Sequence, residues 1–248
     1  MDTTQPSNGG AAAVPFVKVL ITQVVAYLLL IVVSLPSPAH DVHAAVNLTY
    51  TVVPVVVMMA LFLWGSPLRD GVAGRVIAGI VGVGSLVCAA VQALHGMLFP
   101  VPAEGAEHAV VRVFSQETWA AGIVGLLIVL VLVSFARQMA RENRVHLIRS
   151  LSHGVTGGVA MIAAPGWCFL PDFMKECGGA TGLASTAVGV SCVVIVVLAV
   201  LLAGASYLWA RDADPTPRVD HPYIGLGLMP VMLMGPVIAV ASLIVSVL

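Results

Sequence analysis

Three stretches of the chain carry the residue types that bind metals or move protons. His40, Asp41 and His43 form His-Asp-x-His. Glu104, Glu107 and His108 form Glu-x-x-Glu-His, and His95 precedes them in an apolar run. Imidazole and carboxylate are the ligand set of zinc, copper or nickel, so His40, Asp41, His43 and His108 are the candidate metal ligands. None of these spacings is a metal signature, and a solvated, mildly acidic surface explains them as well. Haem is a rival use of the same histidines. It needs axial pairs near each membrane face, drawn from His95 at one end and His153 and His221 at the other. His43 or His108 would have to complete the first pair from a loop. No two histidines recur on one helix at regular spacing, so a metal ion or haem remains open as cofactor and neither is favoured.

Gln92 and His95 lie three residues apart, on one face of a helix. Together with Glu117, Asn47 and Tyr50 they are the expected lining of a ligand-binding cavity. The plainer alternative is hydrogen bonding between helices. Cys168 and Cys177 are expected to pair as a disulfide in an oxidising compartment, whereas Cys88 and Cys192 fall inside apolar runs and read as small core residues. A phosphate-binding loop, a zinc-protease helix and a serine elbow are all missing. The last apolar run has no lysine for a retinal Schiff base. A net charge of −1 leaves no basic face for nucleic acid.

The elements that must position these residues are membrane helices. The chain of 248 residues is 59% hydrophobic and 9% charged, against about 25% charged in a soluble domain. Its apolar runs are long enough to span a bilayer. They predict helices over 14–35, 46–64, 76–99, 118–136, 151–170, 181–210 and 223–248. Residues 1–13 read as a disordered tail, and 14–248 as one transmembrane domain. Pro100 and Pro171 are expected helix stops. Pro54, Pro165, Pro230 and Pro236 are expected kinks. Ala78/Gly82, Ala121/Gly125 and Gly154/Gly158 are expected close-packing faces.

Orientation follows from the basic residues, which collect in cytoplasmic loops. With the stretch holding Arg137, Arg141, Arg144 and Arg149 inside, Lys18, Arg69, Arg75, Arg211 and Arg218 also fall inside, and only Arg112 and Lys175 outside. The four arginines then serve as a topological anchor against anionic headgroups. Trp64 and Trp209 land at the inner interface and Trp119 and Trp167 at the outer one. Asp172 and Glu176 fall in an outer loop, which leaves no ionisable group at mid-membrane.

The sequence therefore specifies an all-α membrane protein: a bundle of seven transmembrane helices in a bacterial inner membrane, N-terminus cytoplasmic, C-terminus outside. Its function reads as a non-enzymatic transporter-like protein or an accessory subunit of a membrane complex. The alternative is a metal- or haem-binding redox protein. Expected partners are membrane lipids and other subunits, with no nucleic acid.

Overall fold

A computed structural model of the chain describes residues 15–40, 46, 48–65, 71–91, 94, 114–140, 147–212 and 221–248. The fold is all-helical. In chain order the elements are α1 (Phe16–Ser34), α2 (Val52–Gly65), α3 (Gly71–Ala90), α4 (Ser115–Met139) and α5 (Leu147–Ala163). A 3-10 segment (Ala164–Phe169) follows, then α6 (Leu170–Gly179), α7 (Leu183–Asp212), α8 (Pro222–Leu233) and α9 (Gly235–Val247). Gly182, with φ of 59°, makes the tight turn from α6 to α7 in a left-handed conformation that costs glycine little.

Among the described residues, six stretches are long and apolar enough to cross a membrane, as a multi-pass membrane protein requires: 16–34, 72–90, 115–139, 152–179, 183–211 and 222–247. The seventh expected span, 46–64, is a helix of 14 residues, Val52–Gly65. At 1.5 Å per residue it reaches about 21 Å, short of the roughly 30 Å hydrocarbon core.

Two of the six stretches form the interior. In an 18-residue apolar segment of each stretch, 78% of the residues are buried for 152–179 and 67% for 222–247, against 22%, 11% and 6% for 16–34, 115–139 and 183–211. Lipid therefore faces α1, α4 and α7. The two interior stretches are the interrupted ones. After Ala163 the chain tightens into the 3-10 segment, with Pro165 near its start, and then resumes as α6. The other stretch breaks at Met234, between Pro230 and Pro236. A proline deprives the turn before it of a hydrogen bond and opens the helix there.

The breaks pack against each other. A side chain on Gly166 would overlap the backbone of Gly235, and one on Gly235 would overlap the Ala163 carbonyl. Around this crossing, α1 and α2 pack on α8, α3 packs on both α4 and α5, and α7 packs on α8 and α9. The main core holds Met58, Met59, Phe62, Met161, Trp167, Met229, Met232 and Met234.

Several sequence expectations change in detail. Pro54 is not a mid-helix kink: it stands in the first turn of α2, where a missing N–H costs nothing. Nor is Pro171 a stop, because it sits in the first turn of α6 and the chain stays helical to Gly179. The third helix ends at Ala90 rather than 99. Gly158 does pack closely, against Leu130 of α4, and Gly82 against Met59 and Met161. On α4, however, Gly125 has nothing within 4 Å and Gly122 makes the contact, against Cys88. Trp119 and Trp167 are buried, each 2% exposed, and take no part in an interfacial belt. Arg137 ends α4 and Arg149 falls in α5, while Arg141 and Arg144 lie outside the described residues.

Candidate functional site

The site begins where α1 ends. Beyond Ser34 the chain turns through Leu35 and Pro36, and the Ser37 hydroxyl accepts the Tyr50 backbone N–H at 2.9 Å. This tie lays the segment 35–40 against the approach to α2 and delivers His40 to the bundle end that holds the start of α6. There the His40 backbone N–H donates to Asp172 Oδ1 at 2.6 Å, and its Nδ1 lies 2.7 Å from Asp172 Oδ2. Both side chains are about nine-tenths buried, at 6% and 10% exposure.

Two contacts to one carboxylate fix the imidazole plane. With the carboxylate ionised, Nδ1 carries its proton toward Asp172. The outer nitrogen, Nε2, is buried and has no hydrogen-bond partner among the described residues. It is free to accept a proton or a metal ion, or to donate once protonated. Asp172 occupies the first turn of α6, where the positive end of the helix dipole favours a negative charge.

Further polar groups gather beside this pair. The thiol of Cys168 lies near Asp172 and the hydroxyls of Thr49 and Thr51. Those two hydroxyls, both buried, are 2.6 Å apart. The Tyr27 hydroxyl is also buried with no partner among the described residues, and its ring packs on Trp167 at 5.8 Å.

The pair is joined to the helix break by a continuous chain of contacts. The His40 ring packs on Phe169 at 5.0 Å, and Phe169 packs on Trp119 at 5.7 Å. Trp119 Nε1–H donates to Ser85 Oγ at 2.9 Å, and the Ser85 hydroxyl donates to the Ile162 carbonyl at 2.6 Å. Ile162 is the penultimate residue of α5, so its carbonyl faces the break. On the opposite break, Trp167 Nε1–H donates to the Val231 carbonyl at 2.7 Å. The carbonyls loosened by the interruptions are thus held by indole and hydroxyl donors, as non-helical backbone inside a membrane demands.

No protein-family model, curated protein or solved structure matches the chain.

Of the residues singled out in the sequence, His40, Asp172 and Cys168 enter this cluster. Asp41, His43, His108, Asn47, Gln92 and His95 lie outside the described residues. Tyr50 is exposed, and Glu117 is half-buried in the first turn of α4. Among the described residues, no group of three or more His, Cys, Asp or Glu side chains is placed to hold a metal. Cys168 and Cys177 are free thiols rather than a disulfide. Helix α6 fills the sequence between them, and nine residues of helix separate two α-carbons by about 13 Å, twice the reach of a disulfide.

Asp172 and Glu176 also move: both belong to α6, and Asp172 is buried within the apolar stretch 152–179 instead of a solvated loop. The helical placement of Asp172 carried one usable signal. Pro-Asp opens helices as readily as proline closes them, so Asp172 could have been read as a first-turn acid.

Proposed function

We propose that the chain is a non-enzymatic membrane carrier in which protonation of the His40–Asp172 pair is coupled to motion at the crossing of the two interrupted helices. The observation that carries this reading is the buried pair itself, with Asp172 inside a membrane-spanning stretch and the His40 Nε2 buried without a partner among the described residues. Ionisable groups in such places are costly, and they mark ion and proton pathways. Interrupted helices that cross inside a bundle are the usual framework of carriers. The rings of Phe169 and Trp119, with Ser85, supply a physical link from the pair to the α5 break.

In this reading α2 is the seventh span, thinner than the rest, and the bundle sits in a bacterial inner membrane with the N-terminus cytoplasmic and the C-terminus outside. The charges support that orientation. Lys18, Arg75, Arg137 and Arg211 stand with Asp212 at the bundle end opposite His40, whereas Glu117, Asp172 and Glu176 stand with Lys175 at the His40 end. The inner-facing arginines then work as the anchor.

The test is a ligand panel on protein in lipid nanodiscs, spanning inorganic cations, organic cations and small carboxylates, between pH 5.5 and 8. A carrier gains thermal stability with one class, and Asp172→Asn and His40→Gln abolish the gain together with its pH dependence. If no class stabilises the protein and it elutes from mild detergent in a stoichiometric complex, it is an accessory subunit.

One observation favours a metal-binding reading as well. A carboxylate holding Nδ1 while Nε2 is left without a partner among the described residues is how metal-binding histidines are oriented. Metal analysis and a visible spectrum of protein purified without chelators decide it, since a colourless, metal-free preparation removes that reading.

A further inference from the structure

A groove of about 330 Å³ opens between α1, α2 and α8, running from Tyr223 and Leu61 at the bundle end opposite His40 to Leu30 and Pro54. Ile21, Val25 and Leu29 form one wall, Val57 and Leu61 the other, and Leu228 lies on the floor. The wall residues Ile21, Val25, Leu29, Val57 and Leu61 are all substantially exposed, so the groove faces the lipid. From Lys18 to Leu29 the α1 wall runs eleven residues, or about 16 Å at 1.5 Å each. That is close to one leaflet of a hydrocarbon core roughly 30 Å thick.

The lower end of this groove is polar, aromatic and cationic. Lys18 lies one turn below Ile21 and Thr22 on the same face of α1, and its Nζ is 5.5 Å from the centre of the Tyr223 ring. Tyr223 itself lines the groove. Trp64, one turn below Leu61, packs on His221 at 5.7 Å, and His221 packs on Tyr223 at 5.6 Å. Of the described acidic residues, Glu117, Asp172 and Glu176 belong to the other end, and Asp212 ends α7 at this one. A chain-length apolar trough thus ends at a lysine ammonium group flanked by interfacial aromatics.

We infer that this groove is a binding site for an anionic phospholipid, with one acyl chain along α1 and α2 and the phosphate at Lys18. A juxtamembrane lysine is worth about 1 kcal/mol toward an anionic lipid, a preference of roughly fivefold. The site is independent of the His40–Asp172 pair, and its failure leaves the carrier reading untouched.

The measurement uses Trp64, which is 59% exposed, as the reporter. Trp209→Phe removes the half-buried indole nearby, and the buried Trp119 and Trp167 give a constant background. Full-length protein is placed in phosphatidylcholine nanodiscs containing rising fractions of dibrominated phosphatidylglycerol or dibrominated phosphatidylcholine. Phosphatidylglycerol should half-quench Trp64 at about a fivefold lower mole fraction than phosphatidylcholine. Lys18→Gln should bring the two curves together, and Lys18→Arg should keep them apart. Coincident curves in the unaltered protein, or a preference that survives Lys18→Gln, overturn the inference. So does the absence of quenching by either lipid, which would mean that a protein surface covers the groove.

Discussion

The two interrupted stretches in the interior and the three continuous helices facing lipid, α1, α4 and α7, are built from nearly the same alphabet, yet they are sorted opposite to a soluble protein. The most apolar stretch, 183–211, is the least buried, and the least apolar, 152–179, is the most buried. Lipid tails attract leucine and valine as well as a protein core does, so hydrophobicity gives no reason to bury a helix in a membrane. What brings a helix inside is polar capacity and small residues. Stretch 152–179 carries Asp172, the indole of Trp167 and Gly166, and each has its partner inside the bundle. The lipid-facing helices are long unbroken rods whose backbone needs nothing from outside.

This contrast breaks most sharply at glycine. Gly166→Val would drive a side chain into the Gly235 backbone, which cannot yield as a flexible side chain can. A loss of at least about 3 kcal/mol is expected, seen as failure to elute as a single species from mild detergent. Gly189→Ala on α7, where nothing lies within 4 Å, should leave elution and thermal midpoint unchanged. Equal tolerance at both positions would mean that the crossing is not a tight contact.

The next effect belongs to the buried pair. Asp172→Leu strands two His40 donors, the backbone N–H and Nδ1–H. At about 1–3 kcal/mol for each buried unsatisfied group, a net loss of roughly 3 kcal/mol is expected in detergent unfolding. Adding His40→Phe to Asp172→Leu removes the stranded ring nitrogen, so the double variant should be more stable than the sum of the singles. Strict additivity would show that the two side chains do not meet.

How legible all this was in the sequence depends on range. The apolar runs gave the six long helices, because length and composition are local. The concentration of Lys18, Arg75, Arg137 and Arg211 at one end was legible for the same reason. The partnership of His40 and Asp172 was not. They stand 132 positions apart, with no spacing rule to join them. Pro171 and Pro54 misled because proline is as much at home in the first turn of a helix as at its end or at a kink. Trp119 and Trp167 misled because tryptophan near the end of a span serves equally at an interface or as an inward donor, and only the tertiary fold decides.

A smaller effect is expected from the Ser85 relay. Ser85→Ala removes the acceptor of the Trp119 indole and the donor to Ile162 at once. A loss of about 2 kcal/mol should follow, accompanied by a red shift of the buried indole emission as water or an altered packing reaches Trp119. Trp119→Phe combined with Ser85→Ala should cost less than the two singles added, because the stranded indole is gone. If Ser85→Ala is silent, the α5 break does not depend on a side-chain donor, and the link between pair and crossing fails with it.

The smallest effect tests the other half of the contrast. Gln23 of α1 donates to Ser206 of α7 at 2.8 Å, and Ser206 in turn donates to the Ala203 carbonyl. This bond joins two lipid-facing helices whose backbones are complete. Losing it strands no main-chain group, and Ser206 keeps its own bond to Ala203. Gln23→Leu should therefore cost only about 0.6 kcal/mol, the mean for side-chain hydrogen bonds between membrane helices. A cost as large as that of Ser85→Ala would mean that α1 and α7 depend on polar contacts as heavily as the interior does. The difference between the two regions would then lie in where their partners sit, since the need for them would be common to both.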